Sequence, residues 1–174
     1  MRTLAALLAF VVAIPGSWAG FVAKGARVGA FGVAQGQAFP LDKVEKMPVL
    51  GGGDGGEQLK LGGHVTVLVF WASWCPYCKK QLAALSELKA KFGPRGVEFV
   101  GINKEENRLN AKAAAMHLPF PSVYDEQERF SSELGVNAIP VTVVLDKQGK
   151  LVRHSVGYVA ETEALLSSLF ERLL

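Results

Sequence analysis

Residues 65–80 read VTVLVFWASWCPYCKK, and the order of residue types in this stretch decides the fold. Val65, Thr66, Val67, Leu68, Val69 and Phe70 are apolar or β-branched, with no polar alternation. A run of that length and composition is expected of a strand buried on both faces of a parallel sheet. Trp71-Ala72-Ser73-Trp74 then leads into Cys75-Pro76-Tyr77-Cys78 and a segment with helical spacing. Proline is favoured at the first position of a helix, so Pro76 predicts Cys75 at the N-cap. There the free N–H groups and the positive end of the helix dipole stabilise an anion. A cysteine so placed is biased towards thiolate, the reactive form. Cys78 comes one turn later, within reach of Cys75. Strand, cap, nucleophile and resolving thiol in that order predict a redox site.

The chain has 174 residues, enough for one domain with additions. About half of it is apolar, too much for a disordered chain. The formal net charge of +3 is small and no basic stripe concentrates it, so no nucleic-acid partner is expected. The only two cysteines lie in the one motif, which excludes a disulfide-stapled scaffold.

The compartment is read from the N-terminus. Arg2 precedes an apolar run over residues 4–14, Pro15-Gly16 breaks it, and Ser17-Trp18-Ala19 is a small-x-small cleavage pattern. Residues 1–19 are therefore expected to be a secretory signal peptide, with the mature chain starting at Gly20 in the periplasm or another extracytoplasmic space. An uncleaved anchor over residues 4–23 is the competing reading, but Pro15, Gly16, Ser17 and Gly20 interrupt it. Membrane association is expected only if that segment stays. No cysteine comes after the apolar run for lipid attachment.

Residues 20–63 hold 12 of the 19 glycines, including Gly51-Gly52-Gly53 and Gly55-Gly56 around Asp54, and so are expected to form turns and flexible loop. No phosphate-loop or dinucleotide pattern accompanies them. Phe31, Phe39, Leu41, Val44, Met47, Val49 and Leu50 predict that this extension is draped on the core in short strands or a hairpin. The domain proper is expected over residues 64–174. After the CPYC motif, Leu82, Leu85, Leu88 and Phe92 recur at helical spacing, and Gly93-Pro94 ends the helix. A second buried strand is predicted over residues 97–102. A turn over residues 103–106 then leads to a helix carrying Leu109, Ala113 and Met116, stopped by Pro119 and Pro121. Asp125 with Glu128 reads as an acidic capping box opening a short helix with Phe130 and Leu134. Pro140 can only sit at the first residue of the strand over residues 141–145. The turn at residues 146–149 makes residues 151–156 its antiparallel partner. A last helix from Glu161 bears Leu165, Leu166, Leu169 and Phe170. The predicted order is β-α-β-α-(α)-β-β-α.

FWASWCPYC, with GVNAIPVTVVLDKQGKLV about 60 residues later, resembles the thioredoxin superfamily, and more closely its secreted TlpA/ResA-like thiol–disulfide oxidoreductases. The resemblance covers residues 65–174. It implies an α/β thioredoxin fold, a central mixed β-sheet flanked by helices, with the glycine-rich segment as an N-terminal extension. It implies Cys75 as attacking thiolate, Cys78 as resolving thiol, and Pro140 in the cis form beside the disulfide. Trp74, Pro76, Tyr77 and Ile139 are the expected substrate contacts, with Trp71 read as core. Thioredoxin carries a buried aspartate where this chain has Val69. Glu106 in INKEEN matches the place of a glutamate thought to serve instead in the ResA-like group, so it is the expected proton carrier for Cys78, with Glu105 its adjacent rival.

The resemblance implies no dissociable cofactor, only the redox-active Cys75–Cys78 disulfide. Its expected partners are protein dithiols or disulfides and an upstream thiol electron donor, and a monomer is expected. The preferred direction is reduction of protein disulfides. A disulfide oxidase or isomerase is the runner-up, and a copper-delivery protein on the same fold is the non-enzyme alternative. That alternative wants a different cysteine spacing and a histidine ligand. His64, His117 and His154 are dispersed, so a four-ligand zinc site is not expected either. Position 79 is lysine, where covalent haem attachment needs histidine.

Overall fold

The computed structural model describes residues 31–53 and 58–174. The leader expected over residues 1–19 and the start at Gly20 lie outside the described residues. The elements run α1 (Leu41–Glu45), β1 (Val49–Gly51), β2 (Val65–Trp71), α2 (Pro76–Phe92), β3 (Val97–Asn103), α3 (Arg108–Ala115), β4 (Ser122–Tyr124), α4 (Arg129–Glu133), β5 (Val141–Leu145), β6 (Leu151–Val156) and α5 (Thr162–Leu173). A single turn of 3-10 helix (Gly93–Arg95) closes α2, and another (Glu126–Glu128) precedes α4.

The strands form one mixed sheet in the order β1-β4-β3-β2-β5-β6. The pairs β2–β3 and β3–β4 are parallel, whereas β5 pairs antiparallel with both β2 and β6. All seven residues of β2 are buried. Because side chains alternate along a strand, β2 feeds two separate cores. Val65, Val67, Val69 and Trp71 pack with Leu82, Leu85, Phe92, Leu166 and Phe170 of α2 and α5. Leu68 and Phe70 pack on the other face with Phe130, Val143 and Leu145, and with Val33, Phe39, Val44, Leu59 and Leu61 of the N-terminal segment. That segment is thus the lid of the second core.

The predicted strands at residues 65–70, 97–102, 141–145 and 151–156 are present within a residue at each end. Strand β1 is one of the short strands expected of the extension, whereas β4 was not foreseen. Both are three residues long, too short to show a period, and they pair antiparallel with each other. Gly51-Gly52-Gly53, read as flexible loop, is instead packed: a Cβ at Gly52, whose φ is 93°, would run into the carbonyl oxygens of Phe120 and Ala115. The inner face of α3 is also corrected. Ala111 and Ala115 are its buried residues, while Leu109 (79 % exposed) and Met116 face solvent. Two alanines four residues apart let this short helix sit close on the sheet, which larger side chains would prevent. The capping box at Asp125 does not close. Asp125 accepts from the N–H groups of Phe130 and Ser131 at 2.9 and 2.8 Å, and Glu128 turns away to Lys104.

Trp71 is core, as expected. Its indole Nε1–H donates to Ser122 Oγ at 3.1 Å, crossing β3 directly over Gly101. A Cβ at Gly101 would stand 2.7 Å from that Nε1 and 2.8 Å from Ser122 Oγ. Gly101→Ala should therefore destabilise the fold by about 2 kcal/mol, the range for overpacking a filled core. Chemical denaturation checks this: the midpoint should fall with the slope unchanged.

On β6 the His154 ring stacks on Phe31, with centroids 4.6 Å apart. Burial pushes its pKa below the usual 6.5. The unfolded chain then takes up the His154 proton before the folded one does, so stability present above pH 6.5 is lost as the pH falls below it. The drop in Tm between pH 7.5 and 5.5 should be smaller in His154→Gln than in the wild type.

Candidate active site

The parallel strands β2, β3 and β4 all end at one edge of the sheet, and the segments beyond them meet there. After β2 the chain turns through Ala72–Cys75, closed by the Cys75 N–H donating to the Ala72 carbonyl at 3.2 Å. Cys75 is the N-cap of α2 with extended φ and ψ of −84° and 111°, and Pro76 is the first helical residue. The Cys75 Sγ accepts from the Cys78 N–H at 3.1 Å. Cap, proline and helix thus fall where the sequence places them. The sulfur occupies the position where an N-cap oxygen would satisfy a free helix N–H.

Cys75 and Cys78 are joined as a disulfide, with Cα atoms 5.2 Å apart. Cys75 is 4 % exposed and Cys78 0 %, so an attacking group reaches the first sulfur before the second. Around this recess the rim is exposed and aromatic: Trp74 is 67 % and Tyr77 60 % open to solvent. The Lys80 ammonium lies between the Tyr77 and Tyr158 rings, 5.7 and 5.9 Å from their centroids. The Ile139–Pro140 peptide is cis, as expected. The Ile139 carbonyl oxygen lies 3.9 Å from Cys75 Sγ. Cys75, Cys78, Ile139 and Pro140 are therefore brought together, with Trp74, Pro76 and Tyr77 beside them.

Glu106 is not brought in. Its side chain is exposed, and only its backbone carbonyl is engaged, by the Tyr124 hydroxyl at 3.1 Å. The carboxylate at the site is that of Glu105, which is 5 % exposed. It accepts from the Ser73 hydroxyl at 2.8 Å and from the Ser73 N–H at 3.0 Å. The reason is strand parity. Val97 and Phe99 of β3 face the α2 core, and the odd positions continue through Gly101 and Asn103 to Glu105. Glu106 falls on the opposite count. Counting by twos from Phe99 would have selected Glu105 from the sequence.

Gln81 is a further residue that sequence reading passed over. It is buried one turn after Cys78, and its amide Nε2 donates to Thr142 Oγ1 at 2.9 Å. The Thr162 hydroxyl, which donates to the Val159 carbonyl at 2.6 Å, lies 3.4 Å from Gln81 Oε1. One amide thus ties the cysteine helix to the strand after Pro140 and lies against the start of α5. A polar residue in the register of Leu82 and Leu85 was the available signal. Among the described residues no three His, Cys, Asp or Glu side chains converge as metal ligands would.

Comparison with known proteins agrees with this geometry. The chain is 31% identical over 103 residues to the thiol-disulfide oxidoreductase ResA of Geobacillus thermodenitrificans, a match covering 58% of this chain and 59% of that protein. It therefore spans about three fifths of the length of the curated relatives it matches. Among solved structures, StoA of Bacillus subtilis superposes with a TM-score of 0.54 at 27% identity, covering 65% of this chain and 90% of StoA. A secreted disulfide oxidoreductase of Mycobacterium tuberculosis shares the fold at 20% identity and a TM-score of 0.56, covering 73% and 98% of the two chains. The sequence model of the Redoxin family matches residues 42–169, from the first helix of the lid to the last helix of the core. This thioredoxin-fold chain, ResA-like in sequence, belongs to the Redoxin family.

Proposed function

We propose that the chain is a thiol–disulfide oxidoreductase that reduces protein disulfides outside the cytosol through Cys75 and Cys78. The observation that carries this reading is the Cys75 sulfur at the N-cap of a 17-residue helix, accepting the Cys78 N–H and paired to Cys78. A structural staple spanning two intervening residues closes almost no loop and stabilises little.

In the reduced protein the Cys75 thiolate attacks one sulfur of a substrate disulfide. The substrate S–S bond breaks, the other substrate sulfur leaves as a thiolate and takes a proton, and Cys75 is left in a mixed disulfide. Cys78 then loses its proton and attacks Cys75 Sγ. That step breaks the mixed disulfide, frees the second substrate thiol and leaves the Cys75–Cys78 disulfide. Two electrons have passed to the substrate, and an upstream dithiol donor restores the pair. No dissociable cofactor enters this cycle. The two cysteines divide the labour by place: the cap favours a Cys75 anion, whereas the fully buried Cys78 meets only the mixed disulfide formed beside it.

Trp74, Pro76, Tyr77 and Ile139 are the proposed substrate contacts, with Pro140 setting the approach to the sulfurs. An extracytoplasmic location is supported by the Arg2-to-Ala19 pattern and by likeness to a protein described as secreted. Reduction is the favoured direction because an exported chain with a single CxxC pair resembles the thiol-reducing members of the superfamily.

Two measurements test this. Cys78→Ser should accumulate mixed disulfides with substrate proteins on non-reducing gels and Cys75→Ser few; the reverse pattern would give the attacking role to Cys78. Equilibrium titration of the Cys75–Cys78 pair in glutathione and dithiothreitol buffers should give a potential near that of reducing thioredoxins, about −270 mV. A value near −120 mV, about that of strong disulfide oxidants, would reverse the direction of flow.

A further inference from the structure

We infer that Lys104 and Glu105, adjacent and both buried at the end of β3, form a clamp that fixes the two halves of the active site relative to one another. The inference rests on the thiol–disulfide reading and adds two positioning residues to it.

Strand alternation sends the two side chains to opposite faces of the sheet. The Lys104 N–H still donates to the Trp71 carbonyl at 3.0 Å, so the backbone continues the ladder past Asn103. Glu105 turns to the α2 side. One carboxylate oxygen takes the Ser73 hydroxyl, and the other takes the Ser73 N–H and, at 3.4 Å, the Asn103 amide. Asn103 Oδ1 in turn accepts the Glu105 N–H at 3.0 Å. Lys104 turns to the other side, where its ammonium donates to the Val136 carbonyl at 3.1 Å and pairs with Glu128 at 2.8 Å.

Each bond reaches one half of the site. Ser73 stands in the turn that delivers Cys75, two residues before the sulfur. Val136 opens the segment that delivers Ile139 and Pro140, three residues before the carbonyl that faces Cys75 Sγ. The nucleophile and the wall against which a substrate sulfur must line up are thus hung from two neighbouring residues just past the end of β3. Buried charges are costly unless their hydrogen bonds are made. Here every oxygen of Glu105 and the head of Lys104 are engaged, so each is held in one geometry. Misplacing a nucleophile by about 1 Å costs on the order of 100-fold in rate. A clamp tying both sides to these two residues limits such drift.

The carboxylate acts here by shape. A glutamine at position 105 can set its oxygen where Ser73 N–H and the Asn103 amide donate, and its NH2 can donate to the Ser73 hydroxyl, which accepts as readily as it donates. A proton carrier has no such substitute.

The test uses the full chain with two readouts: the rate of Cys75 alkylation by iodoacetamide across pH, and the reduction of a short peptide holding one internal disulfide. Glu105→Ala should slow peptide reduction about tenfold, and Glu105→Gln should recover at least half of that loss at every pH. Ser73→Ala in the Glu105→Ala background should cost nothing further, since the bond is already gone. Lys104→Met should raise the half-saturating peptide concentration more than it lowers the maximal rate. If Glu105→Gln is as slow as Glu105→Ala, with a flattened pH profile, proton carriage replaces the clamp. If Glu105→Ala reacts as the wild type does in both readouts, there is no clamp. Should Glu105→Ala fail to fold by circular dichroism, Ser73→Ala alone carries the test: a threefold or greater loss is expected, and a wild-type rate overturns the inference. A wild type that alkylates at Cys75 but reduces no disulfide would count against the functional reading, and the alkylation profiles of the variants would still decide the clamp.

Discussion

Burial of β2 on both faces is the constraint on which the other elements depend. A strand with no solvent side has to satisfy its backbone through neighbours, and β2 does so with β3 in parallel and β5 in antiparallel register. It also needs apolar cover above and below. Helices α2 and α5 supply one cover, and α4 with the N-terminal segment supplies the other. At about 25 cal/mol per Å² of apolar surface removed from water, cover of this extent is the main source of stability for a domain of this size. A central strand held so firmly gives the segment after it a fixed point of departure. The β2–β5 ladder ends at Phe70, and the nucleophile Cys75 lies just beyond it, past one short turn.

The polar groups of the protein obey the same geometry. Where the parallel strands end, backbone and side-chain groups no longer find ladder partners, and buried polar residues take over. Asn103, Lys104, Glu105, Ser122 and Asp125 all lie at or near this edge, and all are hydrogen-bonded. No buried side-chain nitrogen or oxygen among the described residues lacks a partner. The edge that carries the redox chemistry is therefore also the one where the fold is held by specific bonds. Apolar packing alone would tolerate small slides there; a bidentate carboxylate does not.

Most of this was legible in the sequence where a pattern was long enough to carry a period. The strand before the cysteines, the proline-led helix, the Pro140 strand and its antiparallel partner all announce themselves over five or more residues. What escaped was short or decided by parity. A strand of three residues shows no alternation, so β4 had no signal of its own and the place of β1 within the extension was not fixed. Alanine carries little hydrophobic signal, so Leu109 and Met116 drew the apolar face of α3 away from Ala111 and Ala115. Of two adjacent glutamates only one reaches the turn before Cys75, and resemblance pointed to Glu106 where the pleat selects Glu105. The Gly51-Gly52-Gly53 run looked like slack because glycine permits mobility; here it permits contact.

The N-terminal segment also bears on how the sheet ends. Backbone groups of Gly36 and Gln37 bond to both sides of Leu151, and Ala38 bridges Lys150, so the first residues of β6 are already paired. Farther along, β6 presents Arg153 and the stacked His154. At the opposite margin β1 is only three residues long and runs directly into glycines with positive φ. Neither margin offers the long, flat, apolar ribbon that invites a second molecule to add itself strand to strand. The sheet is in effect selvedged, its borders finished so that the fabric does not unravel into a fibre.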